Sequence, residues 1–325
     1  MLDHGGDIDR AVRRFGGHRS DWIDLSTGIN RNPFPIPRLD AACWTALPAQ
    51  SDIAALCDVA RKAYGTTAPI VALAGAQMAI QFVPHLSPKG AARVLSPTYN
   101  EHAAALKAAG WRVEEVRDLD ALAGGDVAVV VNPNNPDGRR RSSADLLALL
   151  PRVGRLVVDE SFADAEPDLS LAAHAGTPGL LVLRSFGKFY GLAGVRLGFA
   201  LASEADARRL ASLSGPWPVS GPAIAIGIAA LSDRAWQAAT AERLAADAMK
   251  LDQLVGKIGW RLAGGTHLFR LYETGDAVLV QERLARSRIW SRVFPWSPSL
   301  VRLGLPGDKS EWERLSGALG ASGPV

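Results

Sequence analysis

The feature that most constrains this fold is an alternation of short apolar runs with longer amphipathic stretches between about residues 47 and 213. Short aliphatic runs are typical of buried strands, and the amphipathic stretches are typical of helices. The predicted strands are residues 70–74, 92–95, 127–131, 156–158 and 180–183, and the predicted helices include 78–86, 101–109 and 144–150. Strand, helix and strand in succession predict an α/β fold with a mostly parallel sheet covered on both faces.

Changes in composition along the chain predict that it is divided into three regions. Residues 1–45 form an N-terminal arm with several glycines and prolines, and residues 46–218 form a large domain that holds the alternating pattern. After Gly215-Pro216-Trp217-Pro218, an alanine-rich helix over about 222–258 leads into an α+β segment. Residues 219–325 are therefore predicted to form a small C-terminal domain, with 320–325 frayed.

Composition narrows the classes of function. The chain has 36 Lys and Arg against 33 Asp and Glu, a net charge of +3 that suits anionic ligands but not nucleic acid. No apolar stretch reaches the roughly 18 residues of a membrane span, and the polar start does not resemble a secretory signal, so a cytoplasmic protein is expected. Cys43 and Cys57 lie on one predicted helical stretch without a metal-ligand pattern, so neither a disulfide nor a metal site is expected.

Polar residues follow four predicted strands at the point where each strand ends. Ligands of open α/β sheets bind beyond the carboxyl ends of the strands, so these segments predict a binding site. The segments are Gly75-Ala76-Gln77, Asn132-Pro133-Asn134-Asn135-Pro136-Asp137-Gly138, Asp159-Glu160 and Arg184-Ser185-Phe186-Gly187-Lys188.

These residue types match the needs of an electron-sink cofactor that carries a phosphate. Such a cofactor requires a lysine that forms an imine and a carboxylate beside its ring nitrogen, and Lys188 and Asp159 can supply these groups. The phosphate requires N–H donors at a helix start and cationic or hydroxyl groups. Ala76 and Gln77 can donate through their backbones, together with Ser185 and Arg196. Taken alone, each of these residues also has an ordinary structural interpretation, such as a surface lysine, a helix cap or a surface arginine.

Residues 185–198, Ser-Phe-Gly-Lys-Phe-Tyr-Gly-Leu-Ala-Gly-Val-Arg-Leu-Gly, resemble the lysine motif of fold-type I aminotransferases, which use pyridoxal 5'-phosphate (PLP). The Asn-Pro-Asn-Asn-Pro-x-Gly and Val-Asp-Glu segments precede this motif in the order typical of that family. Near the start, His4-Gly5-Gly6-Asp7 and residues 24–30 resemble the threonine-phosphate decarboxylases of cobalamin biosynthesis, which are related to histidinol-phosphate aminotransferases. The resemblance extends from His4 to about Pro306.

The resemblance implies the aspartate-aminotransferase fold, PLP as cofactor and a homodimer, with the N-terminal arm contributing to the active site. Lys188 would carry PLP as a Schiff base and serve as the acid/base group, Asp159 would partner the pyridine nitrogen, and Tyr99 would stack on the ring. The implied cofactor-binding residues are Ala76, Gln77, Tyr99, Asn135, Asp159, Ser185, Lys188 and Arg196, and the implied substrate-binding residues are His4, Asn30 and Arg302. The alternatives are a turn-forming Asn135, a core Tyr99, and a solvent-exposed His4.

The implied reaction is decarboxylation of L-threonine O-3-phosphate to (R)-1-aminopropan-2-yl phosphate. An aminotransferase acting on histidinol phosphate is the alternative, and a PLP-bearing regulator is a second alternative that would need a DNA-binding module. Phe162 stands where aminotransferases usually have a tyrosine, which favours the decarboxylase. Leu47 replaces a tyrosine that usually reaches the neighbouring subunit's cofactor phosphate, and Gly187 stands where a hydroxyl often precedes the lysine. These two contacts are expected to be absent or replaced.

Overall fold

The computed structural model describes residues 4–320, so the end segment 321–325, predicted to fray, lies outside the described residues. The strands are β1 (Ile23–Asp24), β2 (Ile70–Leu73), β3 (Ala91–Leu95), β4 (Arg112–Val116), β5 (Val127–Val131), β6 (Leu156–Asp159), β7 (Leu180–Ser185), β8 (Gly198–Leu201), β9 (Arg261–Gly265), β10 (Phe269–Glu273), β11 (Ile289–Trp290), β12 (Arg292–Phe294) and β13 (Ser297–Gly304). The α-helices are α1 (Ile8–Phe15), α2 (Ala42–Thr45), α3 (Gln50–Tyr64), α4 (Ala76–Phe82), α5 (Asn100–Ala108), α6 (Ser143–Leu147), α7 (Phe186–Phe189), α8 (Glu204–Ser214), α9 (Gly221–Ser232), α10 (Arg234–Gly256), α11 (Ala277–Arg286) and α12 (Lys309–Gly320).

The described chain divides into two compact units. The larger unit contains Phe34–Asn135 and Arg139–Ala238, and the smaller unit contains the described residues up to Pro33, Pro136–Gly138 and those from Ala239 onward. These limits differ from the predicted limits at residues 45 and 218. Phe34 belongs to the larger unit because its N–H donates to the Tyr190 carbonyl and its ring packs edge-on against Trp236, with centroids 5.2 Å apart.

The larger unit is built on a seven-stranded sheet in the order β2-β8-β7-β6-β5-β3-β4. Strands β3 to β7 pair in parallel, whereas β8 runs antiparallel to both β2 and β7. Every residue of β5, the run Val127–Val131, is buried, as expected for a central strand covered on both faces. The predicted α/β fold with a mostly parallel sheet is therefore confirmed.

Strand β8 brings its first residue, Gly198, to the edge of the sheet where the parallel strands end. Gly198 pairs with Leu73 at the end of β2 and with Ser185 at the end of β7. A Cβ atom at position 198 would lie 2.3 Å from the backbone nitrogen of Ala76, so only glycine allows the start of α4 to approach this strand. The start of α4 and the ends of β2 and β7 therefore meet at one edge.

Two predicted helical segments are interrupted in the structure. The predicted helix over 222–258 was wrong, because Asp233 leaves the helical conformation and its carboxylate accepts from the N–H of Trp236, which separates α9 from α10. The stretch that carries both cysteines was also predicted wrongly as one helix, since Cys43 lies on α2 and Cys57 on α3. Pro48 disfavours a helical conformation for the residue before it, which explains the second break.

The smaller unit contains a four-stranded antiparallel sheet in the order β12-β13-β10-β9 and a separate parallel pair, β1 and β11. In β13, Arg302 is opposite Leu271 of β10 on one side and Arg292 of β12 on the other. Among residues 4–320, none of the helices has the length and apolar character needed to cross a membrane.

Candidate active site

A buried carboxylate, Asp159, ends strand β6 at the carboxyl edge of the seven-stranded sheet. Its Oδ2 lies 2.8 Å from Nε2 of His102, and its Oδ1 accepts from the backbone N–H of Ser161 at 2.9 Å. Burial alone raises the pKa of Asp159, but the hydrogen bonds from His102 and Ser161 lower this pKa below its ordinary value. The side chain is therefore an ionised, fixed acceptor at neutral pH, as a partner for a protonated ring nitrogen requires.

His102 is a functional candidate that the sequence analysis missed. It lies on α5 three positions after Tyr99, and the two rings meet edge-on with centroids 6.3 Å apart. A spacing of three places two residues on the same face of a helix, so a histidine three residues after the predicted stacking tyrosine was the available signal. Its partner Asp159 is 57 positions away, and nothing in the sequence indicates that pairing.

Tyr99 is half-buried, and its hydroxyl donates to Oε1 of Gln77 at 3.3 Å. Burial, with the nearby carboxylates of Glu101 and Asp159, raises the pKa of Tyr99 to about 12, so the phenol stays protonated at neutral pH. Gln77 in turn donates through Nε2 to Glu101 at 2.8 Å. These contacts fix the Tyr99 ring beside the start of α4.

The start of α4 and the side chain of Arg196 form a cationic cradle. Gly75, with φ of +83°, precedes the helix, and a Cβ atom there would lie 2.7 Å from Nη2 of Arg196. Arg196 itself has φ of +56°, a left-handed conformation that is uncommon for a residue with a side chain. Backbone N–H groups at a helix start and a guanidinium together suit a phosphate. Ser185 lies at the same edge of the sheet, because it pairs with Gly198.

Lys188 lies on the short helix α7, which begins directly after β7. Its Nζ is 5.8 Å from the centroid of the Phe162 ring, so an aromatic ring without a hydroxyl lies beside the amine. The helix is held by stacked rings: Phe186 lies on Tyr190 at 4.5 Å, and Tyr190 lies on Trp236 at 5.6 Å. This packing limits the positions that the Lys188 backbone can take.

Asn135 is half-buried and follows β5. The residues just before it are fixed by hydrogen bonds: Nδ2 of Asn134 donates to the Pro97 carbonyl at 3.0 Å, and Oδ1 of Asn134 accepts from the Thr98 hydroxyl at 2.7 Å. Asn132 bonds the backbone of Arg141 through both its donor and its acceptor. The predicted turn-forming role and the predicted cofactor role of this segment are therefore compatible.

In the smaller unit, the two N-terminal motifs meet around Ser26. The N–H of Gly6 donates to Oγ of Ser26 at 2.7 Å, and this hydroxyl donates to Oδ1 of Asp24 at 2.6 Å. Gly5 packs so closely that a Cβ atom would lie 2.4 Å from the Ser26 carbonyl oxygen. The same carbonyl accepts from Nη2 of Arg302 at 2.7 Å. The motif after His4, the motif at Asp24 and Arg302 are thus one connected group.

Arg302 is buried, with its guanidinium 4.8 Å from the centroid of the Phe269 ring. Burial, together with the charge of Arg292 opposite it, lowers the pKa of Arg302 to about 9, so the guanidinium is still protonated at neutral pH. Two arginines that face each other favour a bound anion, because an anion offsets their repulsion. Arg292 was also missed by the sequence analysis, since its position opposite Arg302 depends on the pairing of β12 with β13.

Asn30 and His4 are the other predicted substrate residues, and both belong to the smaller unit. Asn30 is buried, and its Oδ1 accepts from the N–H of Asn32 at 3.0 Å and from Nη2 of Arg243 at 2.9 Å. His4 is exposed and lines a small polar cavity with Arg10 and Arg292. The predicted cofactor residues all lie in the larger unit, five of them on its strand ends and on the helices that follow.

The fold and the site define a class of protein. A family model described as "Aminotransferase class I and II" matches residues 47–319, and the chain belongs to this family. It is 44% identical to a threonine-phosphate decarboxylase of Pseudomonas aeruginosa over 98% of this chain and 97% of that protein. It is 43% identical to a threonine-phosphate decarboxylase of Sinorhizobium sp over 97% of each chain. The resemblance stated from the motifs is therefore confirmed.

The solved structures show the same fold. The structure of a histidinol-phosphate aminotransferase from Sinorhizobium meliloti, in complex with pyridoxal-5'-phosphate, matches with a TM-score of 0.80 and 19% identity, covering 98% of this chain and 95% of that chain. The donor set at the edge of the larger unit's sheet fits this cofactor: an ionised buried carboxylate, a lysine, a half-buried tyrosine and a cationic helix start.

Proposed function

We propose that the protein is a PLP-dependent decarboxylase that converts L-threonine O-3-phosphate to (R)-1-aminopropan-2-yl phosphate and carbon dioxide. The observation that carries the proposal is the connected group of the smaller unit, in which both decarboxylase-type N-terminal motifs meet Arg302 through Ser26. A substrate with a phosphate and a carboxylate needs cationic groups fixed in this way. The similarity of nearly the whole chain to two threonine-phosphate decarboxylases supports the same function.

Within this proposal, the larger unit binds the cofactor. Asp159 would hold the proton of the cofactor's ring nitrogen, Tyr99 would stack on the ring, and Asn135 would donate to the phenolic oxygen. The backbones of Ala76 and Gln77, the hydroxyl of Ser185 and the guanidinium of Arg196 would bind the phosphate, as the cradle at the start of α4 supports.

When bound, the cofactor would supply an acceptor for the electron pair of the α-carbon bond that breaks. The protein chooses that bond by orienting the substrate. Arg302, with His4 and Asn30, binds the substrate's anionic and polar groups, and Arg292 adds positive charge opposite Arg302. Lys188 holds the cofactor through its amine and moves a proton at the α-carbon.

An aminotransferase is the second candidate from the sequence, and Phe162 argues against it. The Phe162 ring is buried and lies beside the Lys188 amine, at the position where a tyrosine hydroxyl would be a further donor to the cofactor. Without this hydroxyl, the site has one donor fewer to the cofactor's phenolic oxygen, which changes the pKa of the imine between Lys188 and the cofactor.

The cytoplasmic location expected from the sequence stays a prediction.

Incubation with L-threonine O-3-phosphate tests the proposal. The purified, PLP-loaded protein is expected to release carbon dioxide in amounts that exceed the enzyme many times, with no matching formation of a keto acid. The Lys188→Ala protein should release no carbon dioxide above background, and borohydride should fix no cofactor on it. If the unsubstituted protein forms keto acid stoichiometrically and no carbon dioxide, the decarboxylase proposal is wrong, although the cofactor proposal survives.

We also propose that the protein is a homodimer, because an apolar groove of about 880 Å³ lies on the larger unit. Trp44 and Leu47, which are 69% and 68% exposed, line this groove together with the exposed Trp217. Large exposed apolar patches mark interaction surfaces. The groove is also lined by Arg196 of the phosphate cradle, so a second copy seated there would cover the cofactor's phosphate.

A charged residue introduced into the groove is expected to dissociate the dimer into monomers. Leu47→Asp places an unpaired carboxylate in the apolar groove, which is unfavourable by several kcal/mol if the groove is buried between copies. Sedimentation velocity should show a dimer for the unsubstituted protein and a monomer with weaker cofactor retention for Leu47→Asp. Met249→Asp, at an exposed apolar residue outside the groove, is the control and should remain dimeric. A fully active unsubstituted monomer at working concentration would overturn the proposal.

A further inference from the structure

A buried ion cluster joins β6, which carries Asp159, to β7, which leads directly into the helix that carries Lys188. Arg184, the residue before Ser185 in β7, contacts two carboxylates: its Nη1 lies 2.8 Å from Oε2 of Glu160, and its Nη2 lies 2.7 Å from Oδ1 of Asp164. The side chains of Arg184, Glu160 and Asp164 are 5%, 0% and 7% exposed. The proposed catalytic groups do not include any of the three.

The cluster lies on the opposite side of the strands from the site residues. Successive residues of a strand point to opposite faces, so Glu160 points away from the Asp159 side, and Arg184 points away from the Ser185 side. The hydrogen bonding between β6 and β7 continues at Glu160, because its N–H donates to the Leu183 carbonyl at 2.9 Å. The ion cluster therefore fixes the end of β6, which carries Asp159, and the end of β7, from which the helix with Lys188 begins.

Glu160 also holds the segment that follows β6 in place through two hydrogen bonds. Its carboxylate accepts from the Ser170 hydroxyl at 2.5 Å and from the N–H of Leu171 at 2.6 Å. The segment between Glu160 and Ser170 contains Phe162, whose ring lies beside Lys188. One guanidinium thus links β6, β7 and the loop that carries Phe162.

The arrangement favours a geometric role over a stabilising one. Burial alone lowers the pKa of Arg184, but the carboxylates of Asp164 and Glu160 raise it, and the Tyr64 ring lies 4.4 Å from the guanidinium. Arg184 is therefore always charged. A buried ion cluster contributes little net stability compared with apolar packing, because desolvation offsets the attraction. A planar guanidinium, however, fixes the direction of two carboxylates at once.

We propose that Arg184 is a positioning residue: through Glu160 and Asp164 it sets the ends of β6 and β7 so that Asp159 and Lys188 engage the same cofactor. This inference rests on the proposed cofactor site. It assigns no contact with substrate to Arg184, so substitutions there should change turnover and the cofactor's properties more than substrate affinity.

The chain offers a matched control at the other end of the same strand. Arg155 directly precedes β6, is buried, and contacts Asp206 through both terminal nitrogens, at 2.6 and 2.9 Å. It is also a buried arginine that uses both terminal nitrogens on carboxylate oxygens, but it holds one carboxylate where Arg184 holds two. It differs in its location, since it lies at the amino end of β6, away from the end that carries Asp159.

The test compares Arg184→Lys with Arg155→Lys. Lysine keeps the charge but cannot hold two carboxylates with one planar group. Because misplacement of a site by about 1 Å can cost on the order of a hundredfold in rate, we expect Arg184→Lys to lower kcat about tenfold or more, with KM within about twofold. The pH midpoint of the bound cofactor's visible absorbance should shift by about half a unit or more, a roughly threefold change in a protonation constant. Arg155→Lys should lower thermal stability to a similar extent while leaving kcat and the midpoint unchanged.

The outcomes separate this inference from the proposed function. If Arg184→Lys leaves kcat and the midpoint unchanged, or if Arg155→Lys changes them equally, Arg184 is merely structural and the inference is overturned. If Arg184→Lys does not fold, Asp164→Asn, which weakens one contact of Arg184, is compared with Asp206→Asn, which weakens the Arg155 ion pair. If the unsubstituted protein shows no absorbance of a lysine-bound cofactor after incubation with PLP, the proposed function itself fails, and the inference fails with it.

Discussion

Replacing Asp159 with alanine is expected to lower kcat by about two to three orders of magnitude, while Lys188 still binds the cofactor. Electrostatic stabilisation of developing charge is usually the largest catalytic contribution, and removing a single such group costs on the order of 10²–10³ in kcat. Asp159 is almost fully buried and held by His102 and Ser161, so no other group among the described contacts can take its place without rearrangement. Loss of the carboxylate leaves the ring nitrogen without a counter-charge, which should also weaken retention of the cofactor.

The pH dependence follows from the lowered pKa of Asp159. A carboxylate whose folded-state pKa is depressed contributes its interactions above its ordinary value of about 3.9, and these are lost only as the pH falls further. The ionisation of Asp159 should therefore add no pH dependence to kcat of the unsubstituted protein between about pH 6 and 9, a range far above that value. Steady-state kinetics at saturating PLP, with cofactor content measured at each pH, test this expectation.

The control for this substitution is Asp206→Ala. Asp206 is also a buried carboxylate of the larger unit, but it pairs with Arg155 at the amino end of β6. Its loss should lower stability and leave kcat within a small factor. Near-normal turnover in Asp159→Ala at saturating cofactor would reject the role of Asp159, and an equal loss in both variants would show that the effect is one of folding.

The sequence predicted five of the seven strands of the large sheet, because burial on both faces leaves an apolar run, but it did not predict β4 or β8. The run at 127–131 matched β5 residue for residue, and the polar residues after it marked the edge where the site lies. The boundaries were less accurate: β6 and β7 extend to Asp159 and Ser185, since polar side chains there still belong to the ladder. An apolar run therefore ends before the strand does when the last paired residues of the strand carry polar side chains.

The residues that the sequence did not reveal all act through long-range pairs. His102 was overlooked because its partner is 57 positions away, and the Arg184 contact with Glu160 spans 24 positions. Arg292 became relevant only through the register of β12 with β13. The helix break at Asp233 has a different cause, since a local side-chain cap competes with a composition that favours helix throughout.

The clearest test of substrate choice is the comparison of L-threonine O-3-phosphate with L-threonine. We expect kcat/KM for threonine to be lower by at least roughly a thousandfold, because about 1.4 kcal/mol corresponds to a tenfold change in rate. The phosphate is close to a dianion at neutral pH, and a hydrogen bond between charged groups is worth about 1.5–3 kcal/mol, so two such contacts suffice for this ratio. Threonine lacks this anchor, and once bound it is oriented poorly for cleavage of the carboxylate bond.

Substitutions in the smaller unit test whether its cationic groups provide that discrimination. Arg302→Gln removes a buried guanidinium that is held by Ser26, and His4→Ala removes an exposed imidazole beside Arg292 in the polar cavity. Both should lower kcat/KM for threonine phosphate while the absorbance of the lysine-bound cofactor stays intact, because the proposed cofactor residues belong to the larger unit. Arg302→Gln should have the larger effect, since an unsolvated guanidinium binds an anion more strongly than an exposed group does. If threonine and its phosphate react with similar kcat/KM, or if Arg302→Gln leaves the ratio between them unchanged, anchoring by the phosphate does not select the bond, and the substrate assignment is wrong.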